Sequence, residues 1–251
     1  MKVTVITPTY NEAENLPRLV SAFFLLPIAD LNLCVVDDNS PDGSGTLADE
    51  LAAQHLGRMS VIHRPGKLGL RSAYLDAFQT VMADGAQIVG QMDADFSHDP
   101  ARLPEMVAAI EAGADVALGS RYVPGGSVDS RWPAWRKALS AFGNFYARAI
   151  LGFDLRDVTT GYRLWRADTL RAMPLERIDA NGYIFLVEMA YMAWCLRYRF
   201  AQIPIYFADR RWGKSKMSLK IQMEAAIHIW QVKWNYRDLR ARGAAARRQL
   251  S

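Results

Sequence analysis

Short apolar runs alternate with segments of helical periodicity through the first half of the chain. The runs are rich in β-branched residues and are predicted as strands over Val3–Thr7, Leu31–Val36, Met59–His63, Gln87–Met92 and Val116–Gly119. The segments between them are predicted as helices over Ala13–Leu26, Ser44–His55, Gly69–Met82 and Ala101–Ala112. Strands separated by helices of this length form right-handed crossovers, so the pattern predicts a doubly wound, mainly parallel α/β sheet.

The second half of the chain has a less regular pattern. Its apolar and aromatic residues predict helices over Trp132–Leu151, Tyr183–Leu196 and Leu219–Leu239, and a strand over Phe200–Phe207. No repeat or low-complexity linker divides the chain. We therefore expect one domain over residues 1–240, with amphipathic C-terminal helices, followed by a basic and flexible tail over residues 241–251.

Polar and acidic residues follow most of the strands predicted in the first half. They are Pro8, Tyr10, Asn11 and Glu12 after the first strand, Asp37 and Asp38 after the second, Asp93 and Asp95 after the fourth, and Ser120 and Arg121 after the fifth. The carboxyl ends of parallel strands lie at one edge of the sheet, where ligands of doubly wound folds bind. These side chains therefore predict a ligand site at that edge.

Asp93-Ala94-Asp95 is the strongest candidate for a metal site. An Asp-x-Asp by itself is typical of a surface turn, but this one follows the apolar run Ile88–Met92, and buried carboxylates need a partner. Carboxylate oxygens favour Mg²⁺ or Mn²⁺ over Zn²⁺, and such ions usually share their coordination with substrate phosphates. The motif therefore predicts a magnesium or manganese site that binds a phosphorylated substrate.

A second acidic segment, Asp37-Asp38-Asn39-Ser40-Pro41-Asp42-Gly43, follows the second strand. Asp42 is predicted as the N-cap of the next helix. A cap needs one Asp, so Asp37 or Asp38 is left to accept hydrogen bonds from a ribose or a base. No Gly-x-Gly-x-x-Gly follows the first strand and no Walker A motif occurs, which argues against dinucleotide oxidoreductases and P-loop enzymes.

Composition narrows the class of protein further. With 251 residues, of which 51% are hydrophobic and 22% charged, the chain has globular composition and not that of a disordered protein. Cys34 and Cys195 lie in apolar runs and are interpreted as buried thiols of a reducing compartment. No leader and no membrane-spanning stretch is recognised in the sequence, so a cytoplasmic location is expected, with membrane contact only at the surface.

The net charge of +4 is concentrated at the C-terminal end. Beyond residue 230 a single acidic residue, Asp238, stands against the basic residues Lys233, Arg237, Arg240, Arg242, Arg247 and Arg248. Such an end either binds an anionic membrane surface or nucleic acid, or is a solvated basic segment. Nucleic acid is disfavoured as a partner because no known binding motif occurs in the sequence.

Several segments of the chain, taken in order, resemble family 2 glycosyltransferases, which have the nucleotide-sugar-binding fold called GT-A. They are Thr7-Pro8-Thr9-Tyr10-Asn11-Glu12, the segment from Asp37 to Gly43, Met92-Asp93-Ala94-Asp95-Phe96-Ser97-His98 and Gly119-Ser120-Arg121-Tyr122. Others resemble dolichol- or polyprenol-phosphate mannose synthases, namely Gly125-Gly126, Trp132-Pro133-x-x-Arg136-Lys137-x-x-Ser140, Thr160-Gly161-Tyr162-Arg163 and Gly213-Lys214-Ser215-Lys216-Met217. The resemblance extends over most of residues 1–220.

This resemblance implies a metal-dependent, inverting transfer of mannose from GDP-mannose to a polyprenyl phosphate. It implies that the donor nucleoside is held by Pro8, Tyr10, Glu12, Val36 and Asp38, and its diphosphate and metal by Asp93, Ala94 and Asp95. It implies that the acceptor phosphate is bound by Arg121, Arg136 and Ser140, and that the donor is covered by Arg210 and Lys216. The residues expected to act in catalysis are Asp95, Arg121 and Lys216. Ser97 stands where some relatives carry a Gln that joins the metal ligands, and is counted with Asp93 and Asp95 as a ligand.

The residue types suit that reaction. A polyprenyl phosphate carries a charged oxygen near neutral pH, because the second pKa of a phosphate monoester is about 6. It needs cations to position it and little or no general base, and Arg is favoured for bidentate phosphate contacts. The expected mechanism is one in-line displacement at the anomeric carbon of the sugar.

Other interpretations stay open at this point. In one alternative, the donor is another nucleotide sugar such as UDP-glucose, or the acceptor is a molecule other than a polyprenyl phosphate. In either case the enzyme works alone or with a separate membrane-anchoring protein. A phosphatase of the haloacid dehalogenase type would use Asp93 as its nucleophile. That motif normally follows the first strand, and the phosphatase interpretation leaves Asp37 and Asp38 without a role.

Two helices and three further side chains are also interpreted from the sequence. The aromatic and basic helices over Trp132–Leu151 and Leu219–Leu239 either lie at a membrane surface or cover the sheet. His63 is predicted to make a local hydrogen bond, whereas His98 either supports the acidic pair or is an ordinary loop residue. Glu188, on an apolar helix, is predicted to pair with an Arg.

Overall fold

The protein is built around one large sheet. The computed structural model describes residues 1–209 and 219–249, with the backbone alone for 219–225 and 244–249. Its strands are β1 (Val3–Thr9), β2 (Leu31–Asp37), β3 (Met59–His63), β4 (Ile88–Gln91), β5 (Val116–Ser120), β6 (Ser127–Val128), β7 (Arg163–Arg166), β8 (Phe200–Pro204) and β9 (Tyr206–Phe207). The large sheet has the order β3-β2-β1-β4-β7-β5-β8, and β6 pairs with β9. Its strands are parallel except for β7, so the predicted mainly parallel sheet is confirmed.

Helices cover both faces of the sheet. They are α1 (Leu16–Phe24), α2 (Ser44–Gln54), α3 (Leu70–Ala83), α4 (Leu103–Glu111), α5 (Ala134–Leu151), α6 (Ala167–Ala172), α7 (Gly182–Cys195), α8 (Leu219–Asn235) and α9 (Arg237–Gln249). Successive strand residues point to opposite faces, so Val5 packs with α1 and α4 in one apolar layer while Ile6 packs with α3 and α7 in the other. The sheet is therefore doubly wound, as predicted.

Strand β7 was not predicted from the sequence. It has charged residues at both ends and runs antiparallel between β4 and β5. The Arg163 side chain is fully buried and donates to the carbonyls of Val158 (2.7 Å), Thr160 (2.9 Å) and Leu186 (2.6 Å). Burial lowers the pKa of Arg163 to about 9, and the three carbonyls satisfy the cation inside the fold. This arginine therefore anchors the loop before β7.

The C-terminal helix predicted over Leu219–Leu239 is divided into α8 and α9 at Tyr236. The Tyr236 side chain is buried, and its hydroxyl lies 2.9 Å from Oε1 of Glu188 and 3.2 Å from the carbonyl of Arg177. Oε2 of Glu188 accepts from the amide of Ala180 at 3.0 Å. Among the described residues Glu188 thus pairs with Tyr236 and Ala180 and not with the predicted Arg, and burial raises the pKa of this carboxyl group.

The expected start of a flexible tail at residue 241 falls inside a helix. Helix α9 continues to Gln249, since Ala and Arg are strong helix formers. It packs on α7 at Gly243, where a Cβ atom would come within 2.2 Å of the Cys195 carbonyl oxygen. The two cysteines are buried thiols, as predicted, and burial raises the pKa of each to about 11.

None of the helices in the described part of the chain is long and apolar enough to cross a membrane.

Candidate active site

The carboxyl ends of β1, β2 and β4 bring the predicted donor residues together. Pro8 pairs with Val36 across the β1–β2 register, and the amide of Asp38 donates to the Thr9 carbonyl at 3.0 Å. On the other side of β1, the amide of Met92 donates to the Ile6 carbonyl at 3.1 Å, which leads the chain into Asp93. We call the residues that follow these three strands the acidic edge.

Asp37 and Asp38 have different partners at the acidic edge. Asp37 accepts from the hydroxyl (2.5 Å) and the amide (3.2 Å) of Ser40 and so closes its own turn. Asp38 forms an ion pair with Nη1 of Arg64 at 2.5 Å, and both side chains are largely buried. Burial raises the pKa of Asp38 although the Arg64 charge opposes the shift. Of the two acids, Asp38 is the one with a cationic partner; Arg64, which follows β3, was not singled out from the sequence.

The loop after β1 is tied to the loop after β2. Ser44 Oγ accepts from the amide of Glu12 at 2.9 Å, and Asp42 accepts from the amide of Ala13 at 3.1 Å. The N-cap residue of α2 is Gly43 rather than Asp42, although Oδ1 of Asp42 accepts from the amide (3.0 Å) and hydroxyl (2.6 Å) of Ser44, the first residue of the helix. The Tyr10 ring, in turn, is covered by Nζ of Lys67, 4.1 Å from its centroid. The loops thus form one rigid wall of the acidic edge.

The Asp93–His98 loop holds its second carboxylate firmly. Asp95 is buried, and its Oδ1 accepts from both the amide (3.0 Å) and the hydroxyl (2.5 Å) of Ser97. Phe96 between them has a φ of 58°, in the left-handed region that non-glycine residues rarely adopt. Ser97 therefore orients Asp95, and a direct bond from Ser97 to a metal stays a prediction.

His98 supports the same loop from inside the protein. Its Nδ1 accepts from the amide of Asp93 at 3.2 Å, so the proton of the neutral ring lies on Nε2. The ring stacks on Tyr162 with centroids 5.0 Å apart, and burial lowers the pKa of His98. Of the two interpretations of His98, support of the acidic pair agrees with this contact. His63 makes its predicted local hydrogen bond, to Asp49 at 3.0 Å.

The acidic pair fits a divalent cation that is shared with a substrate. The side chain of Asp93 is 38% exposed, whereas Asp95 in the same loop is buried. Across the described residues, no three His, Cys, Asp or Glu side chains converge on one metal position. Mg²⁺ commonly takes one or two protein carboxylates and completes its coordination with phosphates and water. The donor set suits such an ion and not a closed structural metal site.

Arg121 is held in a buried ion pair at the end of β5. Its Nε and Nη2 donate to the two carboxylate oxygens of Asp157 at 2.7 Å each, and its amide donates to the same carboxylate at 2.9 Å. Nη2 also donates to Oγ1 of Thr159 at 2.8 Å. Burial alone would lower the pKa of Arg121, but the charge and hydrogen bonds of Asp157 outweigh it and raise that pKa.

Arg136 has a more open environment. Its Nη1 donates to Oδ1 of Asp209 at 2.9 Å, and its guanidinium carbon lies 3.7 Å from the centroid of the Trp132 ring. The side chain is 28% exposed, against 7% for that of Arg121. Ser140, one turn along α5, accepts from the hydroxyl of Tyr122 at 2.7 Å. We call Arg121, Arg136 and their carboxylate partners the cationic cluster.

Phe207 joins the acidic edge to the cationic cluster. Its ring centroid lies 5.5 Å from that of His98 and 5.6 Å from that of Trp132, in edge-on arrangements. The guanidinium carbon of Arg121 lies 5.0 Å from the same centroid. The predicted metal loop and the predicted acceptor residues therefore belong to one site. Arg210 and Lys216 lie outside the described residues.

An exposed aromatic surface lies beside this site, on α5 and α8. The two helices are joined at Tyr146, whose hydroxyl donates to the Ala226 carbonyl at 3.2 Å and accepts from Nε1 of Trp230 at 3.1 Å. The large apolar side chains exposed on this surface are Trp135, Phe142, Phe145, Ile227, Trp230 and Trp234. An apolar area of this kind indicates an interaction site. We call it the aromatic surface.

Three charged residues of the site were missed by sequence reasoning. Arg64, Asp157 and Asp209 each pair with a predicted site residue, at sequence separations of 26, 36 and 73. Asp157 lies three residues before the start of the Thr160–Arg163 motif, which was the available signal for it. Asp209 follows the last predicted strand of the chain, which was a weaker signal.

Comparison with known proteins supplies names for these features. The profile of glycosyl transferase family 2 matches residues 4–173. A polyprenol monophosphomannose synthase of Mycolicibacterium smegmatis is 42% identical over 244 residues, which cover 96% of this chain and 91% of that protein. An undecaprenyl-phosphate mannosyltransferase of Micrococcus luteus is 42% identical over 248 residues, covering 96% of this chain and 99% of that protein.

A solved structure gives an independent view of the fold. A glucosyl-3-phosphoglycerate synthase of Mycobacterium tuberculosis, crystallised with Mn²⁺, UDP and glucosyl-3-phosphoglycerate, matches with a TM-score of 0.64. The match covers 92% of this chain and 78% of that chain at 16% sequence identity. At this identity the likeness concerns the fold alone, and it confirms the expected GT-A architecture.

Proposed function

The chain belongs to glycosyltransferase family 2, and we propose that it transfers mannose from GDP-mannose to a polyprenyl phosphate, with release of GDP. The observation that carries this proposal is the 42% identity over 96% of the chain to proteins named for polyprenyl-phosphate mannosylation. So long a match includes both the acidic edge and the cationic cluster. A phosphatase with Asp93 as nucleophile is not supported, because the acidic pair follows β4 and not the first strand.

The acidic edge binds the donor in this proposal. The wall formed by Pro8, Tyr10 and Glu12 receives the nucleoside, and the Asp38 carboxylate, oriented by Arg64, accepts hydrogen bonds from it. Val36 and Ala94 are buried beneath this edge and shape its floor. Asp93 and Asp95 would hold Mg²⁺ or Mn²⁺ together with the diphosphate, and the ion would supply charge stabilisation for the leaving GDP.

The cationic cluster positions the acceptor. Arg136 is exposed enough to receive a phosphate, and Ser140 lies one turn further along α5 to donate a hydrogen bond. Arg121 is neutralised by Asp157, so we assign it to shaping the site from beneath rather than to carrying a free charge. A phosphate oxygen that is already ionised attacks the anomeric carbon in line with the departing diphosphate, which inverts that carbon without a general base.

Membrane contact follows from the nature of the acceptor. The aromatic surface and the basic residues of α9 lie on helices at one side of the sheet, and aromatic and cationic side chains together favour an interface with anionic lipid. We therefore place the protein at the cytoplasmic surface of a membrane, alone or with a separate anchoring protein. Double substitution Phe145→Ser and Trp234→Ser should lower affinity for anionic vesicles at least about fivefold. In the matched control the same change to serine is made at two exposed leucines elsewhere, Leu25 and Leu56. If the first variant bound anionic vesicles as well as the unmodified protein, the aromatic surface would not be the membrane-binding surface.

Donor identity is tested by thermal stabilisation of the full chain. GDP, UDP, GDP-mannose and UDP-glucose are each compared with and without Mg²⁺ or Mn²⁺. Metal-dependent stabilisation by GDP and GDP-mannose alone is expected, followed by transfer to a short polyprenyl phosphate. Stabilisation by UDP compounds would mean that the donor is a UDP-sugar and not GDP-mannose. If none of the compounds stabilised the folded protein, the transferase proposal itself would be contradicted.

A further inference from the structure

The carboxylate of Asp209 occupies the anion-binding position of the cationic cluster. Its Oδ1 accepts from Nη1 of Arg136 at 2.9 Å and from Nε1 of Trp132 at 3.2 Å. One donor from the residues just before α5 and one from its first turn thus converge on a single oxygen atom. Convergent donors of this kind bind a phosphate oxygen equally well, since Arg is suited to phosphate and carboxylate alike.

The backbone that carries Asp209 is fixed in place. Its amide donates to Oδ2 of Asp129 at 3.0 Å, and the Asp129 carboxylate is itself held by the amide, Nε and Nη2 of Arg131. Hydrogen bonds from Arg131 and from the Asp209 amide keep the pKa of Asp129 well below its usual range. Asp209 is therefore presented to Arg136 from a constrained position, on the strand end that follows Phe207.

The contact itself is open to exchange. The side chains of Arg136 and Asp209 are 28% and 33% exposed, so water and ligands reach both. Ion pairs this exposed contribute little to stability and are readily replaced. The Arg121–Asp157 pair in the same cluster differs, because both of its side chains are almost fully buried and the contact between them is bidentate.

We propose that Asp209 determines acceptor specificity by competing with the ligand for Arg136, so that a phosphate monoester displaces it and a phosphodiester does not. This inference rests on the proposed binding of the acceptor phosphate at Arg136. A monoester carries about −1.5 to −2 charges at pH 7, whereas a diester carries one, the same as the carboxylate it must displace. At a lipid surface the abundant phosphates are diesters of phospholipid headgroups. Asp209 keeps Arg136 closed to them and open to polyprenyl phosphate.

The test compares the full-length protein with Asp209→Asn. Asparagine keeps an oxygen that accepts from Trp132 and Arg136 but removes the competing charge. Mannosyl transfer to a short polyprenyl phosphate is measured with added dimethyl phosphate, a soluble diester, or with inorganic phosphate. The expected result is a KM for the acceptor about threefold to tenfold lower in the variant, with inhibition by dimethyl phosphate that the unmodified protein does not show. Inorganic phosphate should inhibit both proteins.

A charge-matched control and a binding measurement accompany the rates. Asp168→Asn removes a carboxylate from an exposed pair with Arg171 on α6 and should leave the KM and the inhibition pattern unchanged. Calorimetric titration of inorganic phosphate into each folded protein should show tighter binding to Asp209→Asn than to Asp168→Asn.

Distinct results would overturn the inference. A raised KM in Asp209→Asn would mean that Asp209 positions Arg136, and equal inhibition of both proteins by the diester would mean that it does not discriminate. Arg136→Ala separates this inference from the proposed function. A normal acceptor KM in that variant would remove the acceptor site from Arg136, and this inference with it. A raised KM there, with Asp209→Asn unchanged, would overturn only the role of Asp209.

Discussion

The acidic edge and the cationic cluster hold their charges in different ways. At the acidic edge, Asp37 is held by Ser40 and Asp95 by Ser97, only three and two residues away. In the cationic cluster, Arg121 and Arg136 are held by carboxylates 36 and 73 residues away. The acidic edge thus holds Asp37 and Asp95 through local turns and Asp38 through Arg64, 26 residues away, whereas the cationic cluster holds both of its arginines through distant segments.

The way in which a charged side chain is held decides whether its charge stays available to a ligand. A carboxylate held by a local turn stays available to a ligand, because serine hydroxyls and backbone amides orient it without neutralising it. An arginine held by a buried carboxylate is neutralised before any ligand arrives. Within the cationic cluster, burial then divides the roles, since the Arg121 side chain is 7% exposed and that of Arg136 is 28% exposed.

The largest expected effect is on the acidic edge. Asp95→Asn keeps the shape of the Asp93–His98 loop but removes a charge that we propose holds the metal of the donor, so kcat should fall by about 10³-fold or more. The measurement is single-turnover mannosyl transfer, with thermal unfolding to verify the fold. Asp99→Asn is the matched control, because Asp99 directly follows the Asp93–His98 loop. Within the described part of the chain, its side chain accepts a hydrogen bond from the amide of Ala101 alone. Near-normal turnover of folded Asp95→Asn would remove Asp95 from the metal site.

The second effect concerns the stability of the cationic cluster. Asp157→Asn leaves the buried Arg121 cation without its partner, and breaking a buried pair in this way costs about 3–5 kcal/mol. The free energy of unfolding in urea measures the loss. Asp168→Asn breaks an exposed pair and should cost less than about 1 kcal/mol. Equal losses in the two variants would contradict the structural role given to the Arg121–Asp157 pair.

The smallest effect is a pH dependence that arises from Asp38 at the acidic edge. Burial raises the pKa of Asp38, so its carboxylate becomes protonated at a higher pH than an ordinary Asp and becomes a weaker acceptor for the nucleoside that we propose it binds. Affinity for GDP should therefore fall a few-fold as the pH decreases toward that pKa. Calorimetry on the protein and on Asp38→Asn, with the same ligand titration in both, isolates the contribution of Asp38. An identical pH profile in the two proteins would exclude it.

Two groups in or beside the cationic cluster, Arg121 and Asp129, should keep their charges over the same pH range. The pKa of Asp129 is lowered by its hydrogen bonds from Arg131 and from the Asp209 amide, and that of Arg121 is raised by Asp157. Of these three groups, Asp38 is therefore the first to lose its charge as the pH decreases.

Local pattern was sufficient for much of the fold and for half of the site. Apolar runs and helical periodicity predicted β1 to β5 and the helices between them, because buried parallel strands are apolar on both faces. The acidic residues were predicted as a group, since parallel strands bring their carboxyl ends to one edge. The short strand β7 was missed because arginines at both of its ends make it look like an exposed segment in the sequence. The Arg163 cation is nevertheless buried, because three carbonyl groups accept its hydrogen bonds.

The sequence by itself therefore determined the doubly wound sheet, the acidic pair after β4 and the identity of the candidate cations. Only the tertiary structure decided which carboxylate each cation meets and which side chains stay exposed. Asp157 and Asp209 are both ordinary aspartates in the sequence, yet one is sealed against Arg121 and the other lies open against Arg136. Their roles differ because burial and long-range pairing depend on the packing of distant segments, which no local spacing encodes.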